Sequence, residues 1–168
     1  MVASAIGMVL FPAMMAVAAS SDLLTMTISN RVSLILVGAF FALALATGMS
    51  GPDILRHIGA GVLILFVAFG CFSMGWIGGG DAKLAAATAL WFGFDHLVAY
   101  LLYASLLGGS LTFLLIYFRM LPLPQCLAAQ KWLERLHRKE AGVPYGIALA
   151  AAALLIYPDT PWMKAAAM

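Results

Sequence analysis

Residues 76–84 read W-I-G-G-G-D-A-K-L, and the interpretation of the whole chain depends on this stretch. Three consecutive glycines are followed by Asp81 and, two residues later, by Lys83. The surrounding sequence is apolar, so a carboxylate and an ammonium group stand out there. Consecutive glycines permit backbone geometries that other residues cannot adopt, and they let another chain approach closely. The stretch is therefore either the start of a helix or part of a functional site.

The composition around this stretch is that of an integral membrane protein. Of the 168 residues, 64% are hydrophobic and only 10% are charged, whereas a soluble domain carries about 25% charged residues. The net charge of +2 is small, and the basic residues concentrate in one segment, so we expect a lipid bilayer and no nucleic acid as partner. Cys71 and Cys126 form no C-x-x-C pair, and we predict no metal and no cofactor.

Charged residues divide the chain into apolar pieces of membrane length. A spanning helix needs about 17–25 residues, and the piece 84–117 is too long for one crossing. Gly93, Asp95 and His96 divide that piece into a short helix and a full one. We therefore predict an all-α integral membrane protein with a single domain over residues 1–168. About six transmembrane helices are expected, the fourth short, with a basic cytoplasmic loop before the last helix: 3–20, 32–50, 57–76, 82–93, 97–118 and 144–157, with the loop at 119–143.

The Lys and Arg residues set the predicted orientation. With six spans, Arg56 and Lys164 fall on one side of the membrane, and the remaining basic residues fall on the other. The positive-inside rule places the richer side in the cytoplasm and both termini outside it. A five-span alternative moves the 119–139 cluster outside and contradicts the rule. The predicted cytoplasmic residues are Arg31, Lys83, Arg119, Lys131, Arg135, Arg138 and Lys139.

Both membrane interfaces have further predicted features. From Leu127 onward, the cytoplasmic loop mixes Leu and Trp with basic residues, which favours a short amphipathic helix on the anionic inner leaflet. A solvated loop that only sets the topology is an equal alternative. At the outer interface, Trp91 and Trp162 are predicted as aromatic anchors.

Asp22 and Asp81 differ from the other aspartates, which fall in predicted loops. Asp22 closes the first span and Asp81 opens the fourth, so both lie at the same depth on the cytoplasmic side. Two adjacent carboxylates cannot both ionise cheaply, and such a pair shares a proton. One member can then act as a general base and the other as a general acid, as in aspartic proteases. The alternative is structural, because aspartate is a good helix N-cap and Asp22 could be a polar stop.

Lys83 argues against a purely structural helix start. A cation in the first turn of a helix is disfavoured by the macrodipole. Lys83 either extends towards lipid phosphate, tunes the two carboxylates, or meets an acidic group of a substrate.

Three motifs resemble those of the prepilin peptidases, the membrane aspartic proteases of type IV pilus and type II secretion systems. The stretch G-G-G-D-A-K at 78–83 is similar to their G-x-G-D-x-K signature. Upstream, S-D-L-L-T-M-T-I-S-N at 21–30 resembles the region of the first catalytic aspartate, with I-S-N in place of an I-P-N-like tripeptide. The third, V-P-Y-G-I-A at 143–148, resembles the entry to the family's last helix.

The resemblance implies a function and a set of site residues. Asp22 and Asp81 would be the catalytic pair at the cytoplasmic face of a bacterial inner membrane. The substrate would be a prepilin with a short basic leader, a glycine at the cut and an apolar helix after it, and other pilus-assembly components are expected partners. Asn30 is expected to N-cap the second helix despite the missing proline. The expected substrate-binding or supporting residues are Gly78, Gly79, Gly80, Lys83, Asn30, Pro144, Tyr145 and Gly146.

The larger members of that family carry a cytoplasmic domain with paired C-x-x-C motifs, which this sequence lacks. We therefore expect the compact form of tight-adherence (Flp) pilus systems, with peptidase activity and no N-methyltransferase activity. Two alternatives from other classes remain. One is a small proton- or cation-coupled transporter component that uses the same aspartates, and the other is a scaffold in which both aspartates are caps.

Overall fold

Helices joined by short turns make up the part of the chain that the structure describes, residues 2–124 and 129–164 of a computed structural model. In chain order they are α1 (Val2–Thr25), α2 (Asn30–Ala46), α3 (Gly51–Ser73), α4 (Gly79–Met120), α5 (Lys131–His137), α6 (Tyr145–Ile156) and α7 (Pro161–Lys164). Single 3-10 turns, Lys139–Ala141 and Tyr157–Asp159, follow α5 and α6. These ranges contain no strand, so the predicted all-α class is confirmed.

Three helices are long and apolar enough to cross a membrane: Ile6–Thr25 within α1, all of α3, and α4. The helices Asn30–Ala46 and Tyr145–Asp159 are apolar but shorter. A bilayer core about 30 Å thick needs roughly 20 apolar residues to span it. The helices and the composition together make the chain a membrane protein. The number of crossings, predicted as six, stays a prediction.

Gly93 folds α4 back on itself. A straight helix would separate Asp81 from Thr112 by about 46 Å, at 1.5 Å per residue. Both residues nevertheless line one cavity, so the two arms of α4 run in opposite directions. Gly93 has φ 59° and ψ −171°, a combination that is essentially restricted to glycine. A Cβ there would lie 3.1 Å from the His57 ring, whose Nδ1 lies 2.8 Å from the Leu90 carbonyl oxygen.

This reversal coincides with the helix break predicted between 82–93 and 97–118. Helical structure extends further than predicted, because Asp95 already belongs to the second arm of α4. Arg56 of α3 pairs with Asp95 at 3.1 Å on the exposed end of the bundle. The polar residues after Gly93 therefore surround the bend, while the glycine itself forms it.

The two arms of α4 form the centre of the bundle. α4 packs against α3, α6 and α2, and α1 packs against α6 and α2. By contrast, α2 and α3 make few direct contacts with each other, although both contact α4. A groove therefore remains between α2 and α3.

An aromatic core closes the end of the bundle near Gly93, and it corrects one prediction. Trp91 and Trp162, predicted as interface anchors, are buried, with 0% and 6% exposure. The indole nitrogen of Trp91 donates to the Leu36 carbonyl at 2.9 Å, and that of Trp162 donates to the Trp91 carbonyl at 2.9 Å. Phe11 and Tyr157 pack against Trp91. The anchor prediction was wrong because each indole N–H finds a backbone acceptor inside the bundle.

The basic segment before α6, residues 129–143, is hydrogen-bonded to the bundle. The short helix α5 lies within it, with Leu136 buried. Arg135 donates to the Leu24 carbonyl at 2.7 Å, and Arg119 donates to the Leu136 carbonyl at 2.8 Å. The sequence predicted either an amphipathic helix from Leu127 onward or a solvated loop. The structure has a helix from Lys131, and Leu127 lies outside the described residues. Two arginines thus hold this segment against the ends of α1 and α4.

Candidate active site

Asp22 lies in the last turn of α1, and it is buried, with 5% exposure. Its Oδ2 accepts a hydrogen bond of 2.7 Å from the backbone N–H of Gly146. Gly146 belongs to the first turn of α6, where N–H groups have no partner within the helix. The amide of α6 therefore satisfies one oxygen of a buried carboxylate, which would otherwise be costly to desolvate.

Only glycine allows this approach at position 146. A Cβ there would lie 2.6 Å from Ile28 Cδ1 and 2.8 Å from Asp22 Oδ2. Pro144, with which the predicted last span 144–157 begins, instead precedes α6 as its N-cap residue and is fully buried. Tyr145 is the first helical residue. The predicted trio 144–146 thus lies next to Asp22, and Gly146 bonds to it directly.

Asp81 lies in the first turn of α4, three residues after the N-cap residue Gly78. Its Oδ1 is buried and accepts no hydrogen bond from the residues that the structure describes. A Cβ on Gly78 would lie 3.0 Å from Asp81 Oδ2. Asp81 is not the N-cap residue, because Gly78 occupies that position, but its carboxylate can still take a hydrogen bond from the Gly78 backbone N–H, as in a capping box. Asp81 therefore keeps one carboxylate oxygen for another partner, and an unbonded buried acceptor costs about 1–3 kcal/mol.

The two aspartates line the same two cavities. The larger cavity, about 680 Å³, also has Met26, Thr112 and Tyr145 in its wall. The smaller one, about 280 Å³, lies against the turn after α1 and the glycines 78–80. The structure thus brings Asp22 and Asp81 together from opposite ends of the first half of the chain, next to two cavities.

The three glycines contribute in different ways. Gly80 packs against the turn after α1, where a Cβ would lie 3.1 Å from Ile28 Cβ. Gly79 packs against α3, where a Cβ would lie 3.3 Å from the Phe72 ring. Gly78 lines both aspartate cavities. Close packing thus accounts for all three glycines, since a Cβ on Gly78 would also press on the Asp81 carboxylate.

Lys83 and Asn30 lie together, but outside the aspartate cavities. Lys83 Nζ donates to Asn30 Oδ1 at 2.9 Å. Neither residue lines the cavities that hold Asp22 and Asp81. Side chains two positions apart on a helix differ by about 200° in direction, because a helix has 3.6 residues per turn. Lys83 therefore points away from Asp81. Ser29, rather than the predicted Asn30, is the N-cap of α2, and its hydroxyl accepts from the Arg31 N–H.

Several wall residues were not predicted from the sequence. Thr112, Met26 and the segment 141–143 line the larger cavity. Met26 and Val143 fall within the motifs quoted at 21–30 and 143–148, and Thr112 is a polar residue within an apolar span. A Cβ on Gly108 would overlap the Tyr145 ring, so Gly108 allows Tyr145 to reach this wall.

The side chains near this site do not form a metal-ligand cluster among the described residues. Within residues 2–124 and 129–164, no group of three or more His, Cys, Asp or Glu side chains lies close enough together to hold a metal ion. Two carboxylates that share a cavity can instead exchange protons with a bound water and with a polar group of a ligand.

The chain matches a known protein family. Residues 9–113 match the type IV leader peptidase family, and this range contains Asp22, Asp81 and Lys83 but not 144–146. No curated protein and no solved structure matches the chain. The match confirms the resemblance that the motifs suggest, and it covers more than half of the sequence. The chain belongs to the type IV leader peptidase family.

Proposed function

We propose that this protein is an aspartic endopeptidase that removes the leader from type IV or Flp-like prepilins, with Asp22 and Asp81 as its acid–base pair. The observation that supports the proposal most strongly is that both aspartates line the same two cavities. Membership of the leader peptidase family gives the reaction class. The two carboxylates give a means of carrying it out.

The proposed reaction uses one proton held between the two carboxylates. The ionised member accepts a proton from a water molecule, and the water oxygen attacks the scissile carbonyl carbon. The protonated member donates its proton to the carbonyl oxygen, which gives a tetrahedral diol. A proton then moves to the amide nitrogen, the C–N bond breaks, and the new carboxyl and amino ends separate. General acid–base steps of this kind contribute about 10²–10⁴-fold each.

The substrate backbone is proposed to lie extended between the aspartates. Both cavities are lined by Asp22, Met26, Gly78 and Asp81. The substrate residues before and after the scissile bond would therefore each have one cavity. Gly78 carries no side chain at this junction, which supports close approach of a peptide backbone. The unbonded Asp81 Oδ1 supports a ligand contact there.

We also propose the location and orientation predicted from the sequence: the bacterial inner membrane, with six crossings, periplasmic termini and an active site facing the cytoplasm. The basic segment lies beside the aspartates, because Arg135 bonds to the Leu24 carbonyl at the end of α1. Basic residues concentrate on the cytoplasmic side of membrane proteins. The proposal further includes cleavage without methylation of the new amino terminus, and other pilus-assembly components as partners.

No observation favours the transporter alternative. Asp22 lies near the end of α1 and Asp81 at the start of α4, whereas transporter sites lie near the bilayer midplane.

Co-expression with a Flp-type prepilin tests the proposal. Wild type should shorten the precursor, and Asp22→Asn and Asp81→Asn should each leave it full length. Asp159→Asn is the matched control, because Asp159 is exposed and lines neither aspartate cavity. Processing by either active-site variant at the control's level would contradict the proposal and favour the scaffold alternative. The mass of the mature pilin reports separately whether its amino terminus is methylated.

A further inference from the structure

A membrane-exposed groove lies between α2 and α3, and α4 forms its floor. Its volume is about 530 Å³, and its wall includes Asn30, Ser33, Val37, Val62, Lys83 and Leu90. We call it the α2–α3 groove. It exists because α2 and α3 each pack on α4 but make few contacts with each other.

The two ends of the groove differ in chemistry. At one end, Lys83 Nζ bonds to Asn30 Oδ1 at 2.9 Å, and no carboxylate pairs with Lys83 among the described residues. Ser33 lies one turn beyond Asn30 on α2, is 9% exposed, and has a buried hydroxyl without a hydrogen-bond partner in the described ranges. An ammonium group and an amide thus meet at this end of the groove, and a buried serine hydroxyl without a partner among the described residues lies one turn further along α2.

The rest of the groove is apolar. Val37, Val62 and Leu90 line it beyond the polar end. From Lys83 to Leu90 the floor extends about 10 Å, at 1.5 Å per residue. Leu34 and Val62 are 69% and 45% exposed, so the groove opens towards the bilayer. Its form matches an amphiphile with an anionic head and a hydrocarbon chain.

The groove is separate from the aspartate cavities. Neither aspartate lines it, and Lys83 points away from Asp81 on α4. Gly80 and Ile28, which pack against each other, line the smaller aspartate cavity and not the groove. A lipid can enter the groove directly from the bilayer, because Leu34 and Val62 in its wall are exposed.

We propose that the α2–α3 groove binds an anionic phospholipid of the cytoplasmic leaflet. The phosphate accepts hydrogen bonds from Lys83 and from the Ser33 hydroxyl, and Asn30 orients the ammonium group. One acyl chain lies along the apolar floor formed by α4. Basic pockets between transmembrane helices on the cytoplasmic side bind anionic headgroups in this way.

Native mass spectrometry of the full chain in detergent tests the proposal with phosphatidylglycerol and with phosphatidylcholine of the same acyl chains. Wild type should bind phosphatidylglycerol more tightly. Lys83→Gln should weaken that binding about fivefold and remove the preference, given about 1 kcal/mol per basic residue at a membrane surface. Arg31→Gln is the charge control, because Arg31 is exposed nearby and does not line the groove.

A second pair of variants tests the acyl-chain position. Val62→Trp should fill the groove and weaken binding of both lipids, whereas Val67→Trp, on the same helix at 56% exposure and outside the groove, should not. Equal losses in Lys83→Gln and Arg31→Gln, or no loss in Val62→Trp, would overturn the proposal. So would unchanged lipid binding in Lys83→Gln together with a raised KM for prepilin, which would assign Lys83 to the peptide substrate. Lipid binding is measured without cleavage, so its outcome is independent of the proposed peptidase function.

Discussion

At the scale of single residues, the hydrogen bond from Gly146 to Asp22 is the contact that most constrains the candidate site. It links the end of α1 to the start of α6 at 2.7 Å. The position of one carboxylate therefore depends on a backbone amide 124 residues away in the chain.

Gly146→Ala should lower prepilin processing roughly 10²-fold, the loss expected when a catalytic group moves by about 1 Å. The added Cβ would lie 2.6 Å from Ile28 Cδ1 and 2.8 Å from Asp22 Oδ2, so α6 and the carboxylate must separate. Gly109→Ala is the control, because its Cβ would meet nothing within 4 Å. The measurement is the rate of precursor cleavage at equal protein levels in membranes. Normal cleavage by a folded Gly146→Ala protein would show that this contact does not position Asp22 for catalysis.

The sequence predicted that the two aspartates form a pair, but it did not predict which residues they contact. Their predicted equal depth in the membrane rests on the positions of charges between apolar spans, which is a local pattern. The bond between Lys83 and Asn30 depends on how α2 packs on α4, and that packing leaves no periodic signal in either helix. The separation of Lys83 from Asp81 was accessible in principle, since their spacing of two residues places them on different faces of a helix.

At the scale of elements, the reversal of α4 at Gly93 brings the second arm, with Thr112, back to the aspartates. Gly93→Ala should destabilise the bundle, because this φ/ψ combination costs a non-glycine residue about 1–3 kcal/mol. The added Cβ would also press on the His57 ring at 3.1 Å. Gly38→Ala in α2 is the matched control, with nothing within 4 Å of its Cβ. Thermal unfolding in detergent should show a lower midpoint for Gly93→Ala than for the control, and equal midpoints would contradict this role for Gly93.

The sequence predicted the break in α4 but not the burial of its aromatic residues. Gly93 and the polar residues after it interrupt an apolar run, and this signal survives in any environment. Burial of Trp91 leaves no such signal in the sequence, because lipid-facing and core positions of a membrane protein are both apolar. Hydrophobic periodicity therefore could not distinguish an interface anchor from a core residue that donates to a backbone carbonyl.

At the scale of the whole molecule, the basic segment and the aspartates lie at one end, and the Arg56–Asp95 pair lies near the Gly93 bend at the other. This polarity predicts which end faces each compartment. In a chain freed of its own cysteines, Asp95→Cys should react with a membrane-impermeant maleimide in intact cells. Gln130→Cys should react only after the cells are permeabilised. Labelling of Gln130→Cys in intact cells would contradict the proposed orientation and the six-crossing count.

The central claim is that Asp22 and Asp81 act as one catalytic unit. The most direct measurement is the cleavage rate of the purified full chain on an intact prepilin, for wild type, Asp22→Asn, Asp81→Asn and the double variant. Residues that act as a unit have strongly non-additive effects on rate. We predict a loss of at least about 10²-fold in each single variant and no further loss in the double variant. A single variant that retains a rate close to wild type, or losses that multiply in the double variant, would contradict it.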